Sequence, residues 1–461
     1  SSAAISEHDA GVVWLSADYA GALAQARERH LPIVIDMWAP WCHTCLSMQQ
    51  NVLHDPALAP FAERFVWLAL DTDKPENAVA VGKFSPSAWP TFFVIGEDES
   101  VQAQQVGSAS LADFAAFLTR AEAATRANRT GASPLDEASA ELRAGDQAAA
   151  KGDFAAAEVA YERAVAATVA PASWTAWPHV MLALADARYS LGKWDSCVAL
   201  VEENLEAMAA RHSAAVADLA YLGNECGSKL SDPSKAAALR KKSLLLLERL
   251  LADPVATLAV DDRSETMRIA RELELALGHA DAARNWGLRQ RRVLDDATRV
   301  ATSAEVRMTY NWPRAEVYMF LGTSSELVED LKRSVAELPA QYDPPFRLAG
   351  IYLDMKRPDL ALPLAQKALG LAYGPRQARV QTLLAQIHQA RGDESAYAAA
   401  VAALVDLYEA LPEGQRQPEQ AKKARELLAS IRTDASRPGE AGPRAGAPAA
   451  RSIRTDASKI K

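Results

Sequence analysis

Short apolar runs rich in β-branched and aromatic residues punctuate the first 125 residues: PIVIDMWA at 32–39, FVWLALD at 65–71 and TFFVIG at 91–96. Between and around them, apolar positions fall at helical spacing, in DYAGALAQARERH, CLSMQQNVLHDPALAPFAERF, ENAVAVGKF and SLADFAAFLTRAEAATRA. The alternation predicts an α/β unit with a largely buried sheet. Asp18 before the first helical stretch, and Ser110 with Asp113 three positions on, read as helix starts. Residues 126–137, ANRTGASPLDEA, are polar with Gly and Pro, as a linker is. From 138 to 430 the strand signal vanishes, and Ala- and Leu-rich helical periodicity runs on, broken at intervals by Gly, Pro or Asp. The last segment, 431–461, is rich in Pro, Gly, Ala and Arg and has no face to bury, so disorder is expected there. SIRTDAS occurs at 430–436 and again at 452–458, a duplication with no physical account.

The monotony after residue 138 conceals a repeat. AGDQAAAKGDFAAAEVAYERAVAA at 144–167 carries Gly145, then Gly152-Asp153-Phe154, then Ala157, Tyr161 and Ala164. The same turn and following small residue recur in LGKWDSC at 191–197, LGHADAA at 277–283 and ARGDESAY at 390–397. In a further version Lys356 replaces the turn glycine, between Gly350-Ile351-Tyr352 and Ala361, Ala368 and Pro375. The spacing resembles the tetratricopeptide pattern, in which a turn glycine joins two helices and small residues let them pack closely. The resemblance implies an all-α solenoid over most of the C-terminal two thirds, with a peptide or protein partner on its surface.

Length and charge narrow the function. A chain of 461 residues is too long for one ordinary domain. A formal net charge of −9 offers no electrostatic reason for a phosphate-backbone partner, so nucleic acid is not expected. No run of about 18 apolar residues lacks a charge, so no membrane span is expected in this chain. The opening SSAAISEHDAG has no initiator Met, basic segment or apolar core, which fits a processed leader or a trimmed chain.

Four cysteines, Cys42, Cys45, Cys197 and Cys226, are too few to staple a chain of this size. A zinc site would need a second pair or matching histidines, and only His43 and His54 lie near, so no metal is expected. WAPWCHTC at 38–45 instead places two cysteines, two residues apart, at the end of a strand and the start of a helix. Unpaired amides at a helix start favour a thiolate on the first cysteine. Cys42, at the helix start and partly exposed, is therefore the expected nucleophile, and Cys45, one turn on with a more buried sulfur, resolves a mixed disulfide. Trp38 and Trp41 supply apolar surroundings, and His43 a cation beside the sulfur.

VIDMWAPWCHTC resembles the active-site strand and turn of the thioredoxins, and the resemblance extends through LALDTDKP at 68–75, SAWPTFFVI at 87–95 and QVGSASLADFAAFL at 105–118. It covers residues 11–122. It implies a thioredoxin fold, with Asp36 as the buried acid that assists proton transfer from the resolving thiol at a raised pKa. It implies that Pro90 is a cis-proline facing the cysteines and that the backbone of Trp89 pairs with an extended substrate. The competing readings make Asp36 a surface charge at a strand end and Pro90 a trans edge proline.

Two departures stand out. His43-Thr44 replaces the Gly-Pro usual between the cysteines, so the pair should be more oxidising than thioredoxin's value of about −270 mV. The segment after the motif, with Asp55-Pro56, is similar to the C-terminal domain of the transmembrane disulfide reductase of Gram-negative bacteria and related periplasmic relays.

Cys197 and Cys226 fall on small or apolar helical positions and read as buried, inert thiols, with a disulfide between neighbouring repeats as the alternative. Trp174, Trp177 and Trp194 read as core rather than a peptide groove. His8, His179 and His279 carry no assigned role. The expected organisation is thus a thioredoxin-like redox domain at 1–125, a linker at 126–137, a tetratricopeptide-like helical domain at 138–430 and a tail at 431–461. The expected function is thiol:disulfide exchange on protein thiols or disulfides through Cys42 and Cys45, without a cofactor, Trp41, His43, Trp89 and Pro90 contacting the substrate. The rival is a scaffold or chaperone-like protein whose redox domain is secondary. A periplasmic or other extracytoplasmic location is expected, with the cytoplasm as the alternative.

Overall fold

The computed structural model describes residues 12–130, 136–168 and 173–435. His8, the middle of the linker and the second SIRTDAS copy lie outside them.

The N-terminal portion runs β1 (Trp14–Ser16), α1 (Tyr19–Arg29), β2 (Ile33–Trp38), α2 (His43–Met48), β3 (Val66–Asp71), α3 (Ala78–Lys83), β4 (Thr91–Ile95), β5 (Val101–Val106) and α4 (Leu111–Thr130). The sheet order is β1-β3-β2-β4-β5, with β1 and β2 parallel to β3, and β4 antiparallel to both β2 and β5. The three apolar runs are the three inner strands. β1 and β5 carried no comparable signal, being respectively three residues long and, in VQAQQV, half polar. Asp18 caps α1 through the Gly21 N–H, and Ser110 hydrogen-bonds both the amide and the side chain of Asp113 at the start of α4. The long helical stretch after the cysteines is not one helix. It passes from α2 into a π-helical turn at Gln49–Leu53 and then 3₁₀ turns at Pro56–Arg64, as expected where Pro56 and Pro60 remove amide donors.

Beyond α4 every element among the described residues is helical: α5 (Glu137–Ala149), α6 (Phe154–Ala166), α7 (Trp177–Ser190), α8 (Trp194–Ala209), α9 (Ala215–Gly227), α10 (Pro233–Ala252), α11 (Val260–Ala276), α12 (Ala280–Val300), α13 (Ala304–Thr309) and α14 (Asn311–Leu321). They are followed by α15 (Val328–Glu337), α16 (Asp343–Asp354), α17 (Pro358–Leu371), α18 (Pro375–Ala390), α19 (Glu394–Ala410) and α20 (Pro418–Ala435). All five turn motifs seen in the sequence sit between paired helices. Gly152, Gly192, Gly278 and Gly392 have φ between 70° and 82°. Lys356, standing where the pattern has glycine, adopts the same left-handed conformation at φ 59°. Gly145 is required for a different reason: a Cβ there would lie 2.4 Å from the Tyr161 ring on the facing helix.

By packing, the chain forms two compact units. The first comprises residues up to 71 together with 83–327, so the sheet shares a body with helices α5 to α14 rather than standing alone. The second comprises 72–82 and residues from 328 on. Within it, the Gln415 side-chain amide donates to the carbonyls of Thr72 and Lys74, and a Cβ on Gly374 would strike the Asp73 carbonyl at 1.8 Å.

In the first unit, fully buried Asp146 on α5 is the seam between sheet and helices. It accepts hydrogen bonds from the backbone N–H of Gln104 on β5 at 3.0 Å and from the Tyr161 hydroxyl at 3.1 Å, and its other partner is His179 Nε2 at 2.9 Å. His179, isolated in the sequence, therefore has a structural partner. Cys197 and Cys226 are fully buried and disulfide-bonded between α8 and α9, so the paired alternative holds and no free thiol remains there. Trp177 is core at 2% exposure, and Trp174 packs against the same cluster. Trp194 is half-buried, edge-on to Tyr189.

Candidate active site

β2 delivers the site. All of its residues from Ile33 to Met37 are buried, since the strand lies between β3 and β4. Asp36 pairs in register with Ala69 on one side and Phe92 on the other. It is 2% exposed, with Oδ1 lacking a hydrogen-bond partner. Burial pushes its carboxyl up to about 8, opposed only by a hydrogen bond from the Gln49 side chain. The sequence expectation of a buried acid with a raised pKa matches this environment; the surface-charge reading does not.

The chain leaves β2 through Ala39 and turns into α2, with Cys42 as its N-cap. The Cys42 sulfur accepts a hydrogen bond from the Cys45 N–H at 3.0 Å, and the two cysteines are joined by a disulfide. The Trp89–Pro90 peptide is cis. Trp89 lies beside Trp41, ring centroids 5.6 Å apart, so the loop before β4 and the cysteine turn meet. Ser87, two residues before Trp89, hydrogen-bonds Asp186 of α7, which burial raises to about 6.

One expectation requires correction. The sequence reading took Cys42 as partly exposed, yet it is 3% exposed and Cys45 1%. Helices α11 and α13 pack on α2, within the same compact unit. Trp312 of α14 lies 6.0 Å from Trp41 and stands edge-on to His43 at 4.9 Å. The Gln50 side-chain amide donates to the Thr309 hydroxyl at 2.7 Å. His43 Nδ1 is 2.6 Å from Asp261 Oδ1. A sequence motif cannot show cover supplied from more than 200 residues away.

The electrostatics of this cover are acidic but partnered. Asp261 is 2% exposed. Asp262 beside it hydrogen-bonds Ser108, and burial followed by the charge of Asp261 raises it to about 7. Arg268, one face on, ion-pairs with Glu265 and Glu272. For His43, burial pulls the pKa down, but the charge and hydrogen bond of Asp261 and the charge of Glu265 outweigh it, and the net shift is upward. Among the described residues no group of three or more His, Cys, Asp or Glu is placed to hold a metal ion, and no helix is long and apolar enough to cross a membrane.

A disulfide at a helix start, a buried acid on the preceding strand and a cis-proline beside it define a thioredoxin-like protein. The family described as thioredoxin-like matches residues 13–96. A thioredoxin of Haemophilus influenzae is 33% identical over 91 residues, 20% of this chain and 79% of that protein. The chain belongs to the thioredoxin family through this portion. Its remainder is a helical array similar to tetratricopeptide proteins. A tetratricopeptide repeat protein from Parabacteroides merdae is 14% identical, covering 65% of this chain and all of its own, at a TM-score of 0.41. The TPR2AB domain of yeast Sti1, in its pHSP90 complex, is 15% identical over 57% of this chain and 98% of its own, at 0.19. At such scores the likeness carries no argument; the helical hairpins and their left-handed turn residues carry the repeat reading.

Proposed function

We propose that the protein is a thiol:disulfide oxidoreductase acting on protein substrates, with Cys42 as the exchanging sulfur and Cys45 as the resolving one. The observation that carries this reading is the Cys42–Cys45 disulfide at the head of α2, following a strand that buries Asp36. In the reducing direction the Cys42 thiolate attacks a substrate disulfide, forming a mixed disulfide and releasing one substrate thiolate. Cys45 gives up its proton and attacks the Cys42 sulfur, closing the intramolecular disulfide and releasing the second substrate thiolate, which takes up a proton. Two electrons pass from the pair to the substrate, and the oxidising direction is the reverse. A carboxyl with a pKa of about 8 can accept or return that proton near neutrality, which fits Asp36. The disulfide itself is the redox group, and Trp41, His43, Trp89 and Pro90 are the substrate contacts of this reading.

Helices α11, α13 and α14, packed around α2, support a role for the repeats in choosing which partner reaches Cys42. A buried second disulfide, Cys197–Cys226, fits an oxidising compartment such as the bacterial periplasm. The test is a Cys45→Ser variant exposed to extracts of the source compartment. It should accumulate mixed disulfides that dithiothreitol releases, and Cys42→Ser should accumulate none. The burial of Cys42 favours a second reading, a scaffold whose redox pair is structural. Trapping nothing while suppressing client aggregation would select that reading.

A further inference from the structure

α11 meets the cysteine turn with its first residues. Val260 opens the helix and Asp261 follows, so a carboxylate from the repeats sits among groups that otherwise belong to the thioredoxin fold. His43 is the first residue of α2, next to Cys42. Its side chain is 15% exposed, with Asp261 Oδ1 at 2.6 Å from Nδ1, the Thr44 hydroxyl at 3.4 Å from the same nitrogen, and the Trp312 ring across it. We propose that Asp261 is a positioning residue of the redox site, holding His43 by Nδ1 and so setting the charge beside the Cys42 sulfur. This rests on the exchange reading of the cysteine pair.

The other charged groups near His43 do not replace Asp261. Glu265 contributes charge but is bound by Arg268, which also holds Glu272. Asp262 turns to Ser108. Tyr310, at the start of α14, is raised by burial and by the charge of Asp261 and stays neutral. On its own turn His43 has only Cys42 and Cys45 as titratable neighbours. Burial alone favours the neutral imidazole, so the imidazolium depends on its carboxylate partner. Asp261, buried by the same packing, needs the imidazolium in turn.

The consequence is redox chemistry set from a distant helix. Reduction by glutathione consumes the protein disulfide and two glutathione thiols and yields the protein dithiol and one glutathione disulfide. Two electrons enter the Cys42–Cys45 bond and two protons go to its sulfurs. An imidazolium beside Cys42 stabilises the thiolate that follows when one of those protons leaves. The equilibrium therefore depends on the protonation of His43, and its pH profile bends where His43 titrates.

The test uses the full chain. Nuclear magnetic resonance of the His43 ring in the unaltered protein should give a midpoint above the ordinary 6.5, and the glutathione equilibrium should bend at the same pH. Asp261→Asn should move both to lower pH, and Asp261→Glu should restore them. His43→Asn should remove the bend. At pH 7 it should also change the equilibrium constant about tenfold, roughly 30 mV for a two-electron couple, but less than about twofold in the Asp261→Asn background. A midpoint below 6.5, a bend that stays put in Asp261→Asn, or additive effects overturns the proposal. Where Asp261→Asn does not fold, a bend that survives His43→Asn overturns it. Absence of any exchange with glutathione sinks the reading of the site as well, whereas exchange with an unmoved profile sinks this inference alone.

Discussion

Replacing Asp36 with Asn should stabilise the protein, and by an amount that grows with pH. In the folded chain burial raises the carboxyl to about 8, against an ordinary value of 3.8. The folded state therefore holds a proton that the unfolded state has released anywhere between those values. The sign follows directly: the contribution of Asp36 to stability is fully present below 3.8, is lost as pH rises and levels off above about 8. Each pH unit in that window costs about 1.4 kcal/mol. At pH 7, about three units above the unfolded value, the ionisable group costs on the order of 4 kcal/mol relative to a neutral one, and at pH 5 about 1 to 2 kcal/mol. Asn keeps the shape and a polar group, so its own burial penalty is nearly independent of pH. The assay is urea unfolding of parent and variant at pH 5, 6, 7 and 8, compared as differences at each pH so that shared titrations cancel. The difference should climb in favour of Asp36→Asn and flatten above about 8. A difference that is constant across the series would mean that Asp36 titrates below pH 5 in the fold, leaving a carboxylate too weakly basic to take the proton of Cys45. The same variant should slow resolution of the mixed disulfide, separating its catalytic cost from its gain in stability.

Gly145→Ala should lower stability by about 1 to 3 kcal/mol in thermal unfolding, because its methyl would lie 2.4 Å from the Tyr161 ring in a packed seam; an unchanged midpoint would show that α5 and α6 can separate freely. Breaking the Cys197–Cys226 bond with paired serines should cost about 3 to 4 kcal/mol from the released loop of 29 residues, and the Cys42–Cys45 chemistry should persist; a loss of exchange would mean the second disulfide takes part in it. Trp312→Ala should speed iodoacetamide labelling of Cys42 in the reduced protein, since Trp312 stands against both Trp41 and His43, while Cys45 stays slow. Equal labelling rates in parent and variant would show that Trp312 does not restrict access to the sulfur.

Local pattern was enough for the parts of this protein that depend on local physics. Three short continuous apolar runs, rich in β-branched and aromatic residues, read as strands buried on both faces, and they are β2, β3 and β4. Turn chemistry marked the helical hairpins even at Lys356, where a side chain replaces the glycine and the backbone still turns left-handed. The cysteine spacing placed Cys42 at a helix cap, and the resemblance to thioredoxins implied the buried Asp36 that the strand contains. Nothing in the local pattern could join residue 43 to residue 261 or residue 41 to residue 312. Those contacts depend on how the five strands and the helices up to α14 pack together, and the acidic start of α11 reads in sequence as an ordinary favourable end for a helix dipole. The same limit hid the burial of Cys42 and the three-way grip of Asp146 on β5, Tyr161 and His179, and it left the pairing of Cys197 with Cys226 as an alternative that only the packing of α8 on α9 decides. Periodicity reports which face of an element is apolar, whereas the neighbour that covers that face is chosen by shape and charge complementarity over the whole chain.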